Sequence, residues 1–234
     1  MTDNLADISL RKAAVVTGVS ILIMAVAAVF ATDITLRGLV VPEDAATTTT
    51  NIKASEMLFR AGIFSWLVIL ICDVLAAWGL YVFFKPVNRS LSMLMAWFRL
   101  VYAAILGAAL LNFVNVLLLV RGDDYMAALG MDQLQAQVML SLNAFDDTWS
   151  IGLAVFGFHV LALGYLALKS GYVPKIFSVL LIVAFFGYLV TSFNDLLLPD
   201  YEKFKRIIEL IFIIPMVTGE VGLAVWLLVK GGKG

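Results

Sequence analysis

The chain has 234 residues, of which 62% are hydrophobic and only 14% are charged. This composition excludes an ordinary soluble domain, in which about half of the residues are apolar and about a quarter are charged. The net charge of −1 gives no indication of a nucleic-acid partner. The single cysteine, Cys72, excludes an internal disulfide and a cysteine-rich metal site. The apolar residues fall instead in blocks of about 20, the length that crosses a bilayer. The sequence therefore predicts an all-α, polytopic membrane helix bundle.

Six apolar blocks are predicted as transmembrane helices in one integral membrane domain, residues 1–234. In chain order they cover about residues 13–31, 59–84, 91–120, 149–168, 174–196 and 207–229. The first block has a second interpretation, because Arg11 and Lys12 precede it and "VFA" at 29–31 resembles a signal-peptidase site. Since its run of about 18 residues is long for a signal peptide, we expect a retained anchor.

Two segments between the blocks are also expected to be helical. In residues 32–58, Asn51 is predicted to cap a helix that runs straight into the second span. Residues 132–146 carry four large apolar side chains at helical spacing: Leu134, Val138, Leu142 and Phe145. This segment is either an external amphipathic helix on the membrane surface or an extension of the fourth span.

The charges flanking the blocks predict an orientation. One side of the membrane has only Asp3 and Asp7 as acidic residues and carries eight of the 16 basic residues: Arg11, Lys12, Lys85, Arg89, Lys169, Lys175, Lys230 and Lys233. The other side carries most of the acidic residues. Because Lys and Arg in short loops stay in the cytoplasm, both termini are predicted to be cytoplasmic.

Ionisable residues inside the predicted spans are the main candidates for a site: Asp73, Arg99, His159 and Glu220. Such groups are costly in a bilayer and face the bundle interior. Helix rise places them at similar depths in four different spans, so we expect one shared polar cluster. Asp73 and Arg99 are the expected ion pair, because their spans form a hairpin. The cluster either fastens the helices together or binds a small ligand or a proton.

The charge balance of this cluster leaves two alternatives. Two carboxylates face one guanidinium, so one negative charge is uncompensated in a medium of low dielectric constant. Either His159, the single histidine of the chain, is protonated, or one carboxyl group keeps its proton.

Further polar residues are secondary candidates. Thr218 lies beside Glu220 in "IIPMVTGE", where Pro215 removes a backbone hydrogen bond. A second polar layer is interpreted either as an aqueous vestibule or as an ordinary hydrated rim: Asn112, Asn115, Asp146, Asp147, Asn194 and Asp195.

Three functional classes remain, and no metal or cofactor is expected. The preferred one is a protein that binds or moves a small ligand or proton. The second is an intramembrane hydrolase of a lipid-like substrate, in which Thr218, His159 and Asp73 act together. The third is a non-catalytic subunit of a membrane complex. The expected partners are the lipid bilayer, a small-molecule or lipid ligand, and another membrane protein or a second copy of this chain.

The stretch "FGFHVLALGYLALKSGYVPKIFSVLLIVAFFGYL", residues 156–189, resembles a bacterial multi-pass membrane family known as domain of unknown function 4386. "SEMLFRAG", "DVLAAWGLYVFFKPVN" and "RLVYA" fit the same family, and the resemblance covers roughly residues 50–190. It implies a six-span protein of the bacterial inner membrane and assigns no catalytic residue. The last span, which contains Glu220, is outside the resemblance.

Overall fold

The computed structural model describes residues 9–121, 130–197 and 202–233, without the side chains of residues 202–210. The described chain forms seven helices and no strand. They are α1 (Leu10–Leu39), α2 (Ala45–Ala54), α3 (Glu56–Phe84), α4 (Arg89–Arg121), α5 (Met131–Ser170), α6 (Lys175–Leu197) and α7 (Glu202–Val229). All except α2 contain apolar stretches long enough to cross a bilayer, so the predicted six-span, all-α bundle is confirmed.

The six spans form a closed ring. Each packs against its neighbours along the chain, and α1 packs against α7 to complete the circle. Short connections at 85–88 and 171–174 make successive spans antiparallel. We call the end of the ring that carries Leu10 and Lys230 the terminal end, and the end that carries α2 the far end.

Arg11 closes the ring at the terminal end. Its Nη1 donates to the carbonyls of Leu227 and Gly231, both at 3.0 Å, and its Nη2 donates to that of Leu228 at 2.6 Å. The last carbonyls of a helix have no partners within the helix, and the helix dipole makes them favourable contacts for a cation. Arg11 of α1 therefore caps α7 and holds the two ends of the chain together.

Small residues allow the spans to approach closely. A Cβ atom on Gly79 of α3 would lie 2.3 Å from Thr17 Oγ1 of α1. A Cβ atom on Gly164 of α5 would lie 3.0 Å from the Ser178 carbonyl of α6. Without a hydrophobic driving force between helices in lipid, such close backbone packing supplies much of their attraction.

The far end differs from the expectation in how α2 begins and ends. Asp44, not Asn51, caps α2, because its carboxylate accepts from the Thr47 backbone N–H at 2.9 Å. The Thr47 hydroxyl and backbone hydrogen bonds also lower the pKa of Asp44. Asn51 lies within α2 and donates to the Leu39 carbonyl at 3.2 Å. A break at Ser55 separates α2 from α3, so the prediction of one continuous helix is wrong.

Residues 132–146 are the first turns of α5 and not a separate helix on the membrane surface. Val138, Leu142 and Phe145 are buried. Phe145 stacks on Phe113 of α4 with ring centroids 3.9 Å apart. The apolar stripe in this segment packs against protein, which is why the helix continues into the span without interruption.

The outer surface of the bundle is apolar, and the ionisable side chains of its spans lie in the interior. Large hydrophobic side chains on the outer faces are strongly exposed, such as Val26 at 74% and Phe64 at 65%. Asp73 and Arg99 are each only 2% exposed, and His159 is fully buried. This distribution suits a surface solvated by lipid, because lipid cannot hydrogen-bond to charged or polar groups.

Replacing Arg11 with alanine should destabilise the bundle by about 2 kcal/mol, because three carbonyls lose a charged donor. Thermal unfolding in detergent micelles measures the loss. The neighbouring exposed Lys12 provides the control, and Lys12→Ala should leave the midpoint nearly unchanged. Equal midpoints for the two variants would show that Arg11 does not hold the ring closed.

Candidate functional site

The four ionisable residues predicted to share a cluster lie at one level of the ring. Asp73 is on α3, Arg99 on α4, His159 on α5 and Glu220 on α7. Each lies about ten residues from the terminal end of its helix, which is roughly 15 Å at 1.5 Å per residue. This depth is close to the middle of a hydrocarbon layer about 30 Å thick.

Asp73 and Arg99 form the expected ion pair. Both Nε and Nη2 of Arg99 bind Oδ1 of Asp73 at 2.8 Å. The other carboxylate oxygen, Oδ2, is buried and has no hydrogen-bond partner among the described residues. A buried acceptor in this condition raises the free energy of the site until a donor reaches it.

The contacts of His159 fix its tautomer. Its Nδ1 is 2.9 Å from the Met95 carbonyl, which can only accept, so Nδ1 carries the hydrogen. Its Nε2 is 3.1 Å from Nη1 of Arg99, which can only donate, so Nε2 is the acceptor. His159 is therefore neutral in this arrangement. The geometry thus argues against the alternative in which a protonated His159 balances the charge.

Glu220 is the member held least tightly. Its Oε1 accepts from Nη1 of Arg99 at 3.3 Å, a longer contact than those made by Asp73. Its side chain is 17% exposed, compared with 2% for both Asp73 and Arg99. Of these three charged side chains, Glu220 is thus the most accessible from outside the cluster.

Arg99 is the centre of the cluster. In addition to its ionisable partners, its Nη2 lies 3.8 Å from Met24 Sδ of α1. Its guanidinium carbon lies 5.2 Å from the ring centroid of Phe156 of α5, within the range of a cation–π contact. One side chain of α4 therefore contacts α1, α3, α5 and α7.

Aromatic side chains cover the cluster on the side of the far end. Phe156 contacts Tyr102 and Tyr188, with ring centroids 4.7 and 5.2 Å apart. Tyr102 also accepts a hydrogen bond from Trp149 Nε1 at 3.2 Å. Trp149 in turn packs on Trp66, with centroids 5.0 Å apart. These aromatic side chains therefore form a packed layer between the cluster and the far end.

The structure does not bring the secondary candidates into the cluster. Thr218 is exposed and donates to the Ile214 carbonyl of its own helix. Asn112 binds the Ala109 carbonyl of its own helix at 3.1 Å, and Asn115 is exposed. Asp195 accepts from Ser150 Oγ at 3.0 Å, which links α6 to α5. The contacts of Thr218 and Asn112 are thus within their own helices, whereas that of Asp195 is between helices.

The same geometry bears on catalysis and metal binding. Thr218 does not reach His159, and the Met95 carbonyl, not Asp73, orients the imidazole. The serine-hydrolase type of arrangement is therefore not assembled among these three residues. A metal ion at His159 Nε2 would have to displace the Arg99 guanidinium from that atom.

Several contributors were not predicted from the sequence. Met95 contributes through its backbone carbonyl and Met24 through its thioether, so neither residue has a charged side chain that would mark it in the sequence. Phe156 precedes His159 by three residues, so helical spacing places both on one face and was a usable signal. The two tyrosines, Tyr102 and Tyr188, could be recognised only once the ring order was known.

The fold and the cluster together define a multi-pass membrane protein with a buried, hydrogen-bonded set of ionisable side chains. The chain belongs to the family described as Domain of unknown function (DUF4386), whose profile matches residues 16–231. That match includes the last span and Glu220, which the earlier resemblance did not reach.

A related protein comes from an archaeon. A protein of Archaeoglobus fulgidus, described as an uncharacterized protein, is 35% identical over 168 residues, which are 71% of this chain and 81% of the relative. No solved structure matches the chain.

Replacing Arg99 alone should be strongly destabilising. Arg99→Met leaves Asp73 buried without its cation, which costs about 3–5 kcal/mol. The double variant Asp73→Leu/Arg99→Met should recover more than half of that loss, because the buried charges are removed together. Titration with a denaturing detergent measures both. Additive losses in the double variant would show that the two residues do not act as a pair.

The tautomer of His159 can be observed directly, because it is the single histidine of the chain. With ¹⁵N-labelled histidine, NMR should show one neutral imidazole protonated at Nδ1. The signals should stay constant between about pH 5 and 8, the range in which an exposed imidazole titrates. A charged imidazole, or the opposite tautomer, would contradict the hydrogen-bond geometry.

Proposed function

We propose that this membrane protein binds one proton, or a small cationic ligand in its place, at Glu220. The observation that carries the proposal is the charge of the cluster. Asp73 and Glu220 contribute two negative charges and Arg99 contributes one positive charge, while His159 is held neutral between a donor and an acceptor. The fully ionised cluster has a net charge of −1, and one bound proton or monovalent cation neutralises it.

Glu220 is the favoured acceptor within the cluster. The guanidinium contacts Asp73 through two nitrogens at 2.8 Å, whereas Glu220 has one contact at 3.3 Å. Asp73 is therefore the better compensated carboxylate. Glu220 is also the more exposed of the two, which suits a group that exchanges a proton or ligand with its surroundings.

The titratable groups around Glu220 come from four helices. Arg99 of α4 contacts Glu220 directly, and Asp73 of α3 and His159 of α5 contact Arg99. Tyr102 of α4 and Tyr188 of α6 also lie within electrostatic range of Glu220. Met24, the α1 residue in contact with Arg99, does not titrate. Among these groups Arg99 is the single cation, so the site remains short of positive charge until a proton or ligand arrives.

We further propose that the protein lies in the cytoplasmic membrane, the inner membrane of a bacterial cell, with both termini in the cytoplasm. The support is the excess of basic over acidic residues in the sequence on the terminal side of the ring, where the acids are Asp3 and Asp7 and the basic residues are Arg11, Lys12, Lys85, Arg89, Lys169, Lys175, Lys230 and Lys233. In short loops this bias keeps the basic side in the cytoplasm.

Infrared spectroscopy tests the proton on Glu220. A protonated carboxylic acid has a carbonyl stretch that an ionised carboxylate lacks, so the protein at neutral pH should show this band. ¹³C-labelling of glutamate carboxyl groups should shift the band, whereas labelling of aspartate should leave it in place. Glu220→Gln should remove the band.

Glu56 provides the matched control. It lies near the start of α3, is partly exposed and is paired with Arg60, so Glu56→Gln should leave the band unchanged. A band that survives Glu220→Gln, or that shifts with labelled aspartate, would disprove the assignment of the proton to Glu220.

A further inference from the structure

Small residues bring α1 and α7 together at the terminal end of the ring. At the terminal end, Gly18 of α1 packs against Ala224 and Leu228 of α7. Ala14 packs against Gly231, and Arg11 caps the end of the helix. Ala224 is fully buried in this contact.

Closer to the far end, the residues on this same face of α7 are exposed. At 100° per residue, positions 7 and 11 residues before Ala224 lie within about 20° of its direction. These positions are Val217 and Ile213, which are 53% and 55% exposed. A face that is buried against α1 at Ala224 is thus uncovered two and three turns away.

The matching face of α1 is uncovered in the same region. Positions 7 and 11 residues after Gly18 are Ala25, which is half-buried, and Val29, which is 55% exposed. The opposite face of α1 stays buried against α3, with Ala31 and Thr35 at 0% and 1% exposure. Hence α1 follows α3 toward the far end and separates from α7.

The uncovered faces of α1 and α7 lie between Glu220 and the far end. We define the α1–α7 cleft by Ala25, Val29, Ile213 and Val217, with Glu220 at its inner end. Glu220 lies one turn before Ala224 on the same side of α7. Its side chain has a larger exposed fraction than those of Asp73 and Arg99. Along the axis of the ring, by contrast, the aromatic layer covers the cluster on the far side.

The chemistry of the cleft selects its occupant. The walls are aliphatic side chains that open toward lipid, and the inner end is a carboxyl group of a cluster with net charge −1. A proton alone would make no contact with the aliphatic walls. An uncharged lipid tail would make no favourable contact with the carboxylate. We infer that the α1–α7 cleft binds an amphiphilic amine, with its tail between Val29 and Val217 and its ammonium group at Glu220. This inference rests on the proposed function, because Glu220 is its cation-binding group.

Dodecylamine and dodecanol are matched probes that share a tail and differ in charge. Dodecylamine should raise the unfolding temperature of the protein in nonionic detergent well above the effect of dodecanol, since binding stabilises the folded state. Glu220→Gln should remove this difference. Equal stabilisation by the two probes would overturn the inference.

Two valines of α7 test the cleft itself. Val217→Trp fills the cleft and should weaken dodecylamine binding at least about tenfold, or about 1.4 kcal/mol. Val225 is 46% exposed on another face of the same helix, so Val225→Trp should change binding less than about twofold. Ile213→Trp, on the same wall as Val217, should behave like Val217→Trp.

The outcomes separate the inference from the proposed function. If Val217→Trp and Ile213→Trp bind dodecylamine as Val225→Trp does, the cleft is not the binding site and the inference fails. The infrared band of Glu220 would then still stand as independent support for proton binding. If Glu220→Gln keeps that band, the proposed function fails as well.

Discussion

The guanidinium of Arg99 is the interaction on which the arrangement of the ring depends. It lies near the middle of the bilayer, where an unpaired charge is costly, and it contacts Asp73, His159, Glu220 and Met24 from four other spans. These directional contacts specify which helix faces meet. Apolar packing alone is less selective in lipid, because the tails of the lipids are as apolar as the side chains.

The depth and composition of the cluster could be predicted because the bilayer makes such residues conspicuous. Asp73, Arg99, His159 and Glu220 interrupt apolar spans, and a fixed helical rise converts their positions into depths. The hairpin of α3 and α4 also identified the Asp73–Arg99 pair. The protonation of His159 could not be predicted, since it depends on a backbone carbonyl from α4, and carbonyls are the same at every residue.

The separation of α1 from α7 toward the far end could not be predicted from the sequence either. Val29, Ile213 and Val217 are aliphatic whether they face lipid, a neighbouring helix or a cleft, so their pattern does not distinguish these surroundings. At the far end, Asn51 and Asp44 both suit a helix cap, and the choice between them depends on how the chain after α1 folds back. The sequence also could not decide whether residues 132–146 extend α5 or lie on the membrane surface. One apolar stripe can pack either on lipid or on α2 and α4.

The cap that Arg11 places on α7 has a mechanical consequence. Because Arg11 joins α1 to α7 at the terminal end, a relative tilt of the two helices pivots near this guanidinium. Over a span about 30 Å long, a tilt of about 5° at this pivot moves the opposite tip by roughly 2–3 Å. Glu220 lies between this pivot and the far end of α7. A small rotation of α1 against α7 at the membrane surface would therefore change the width of the α1–α7 cleft beside the Glu220 carboxyl group.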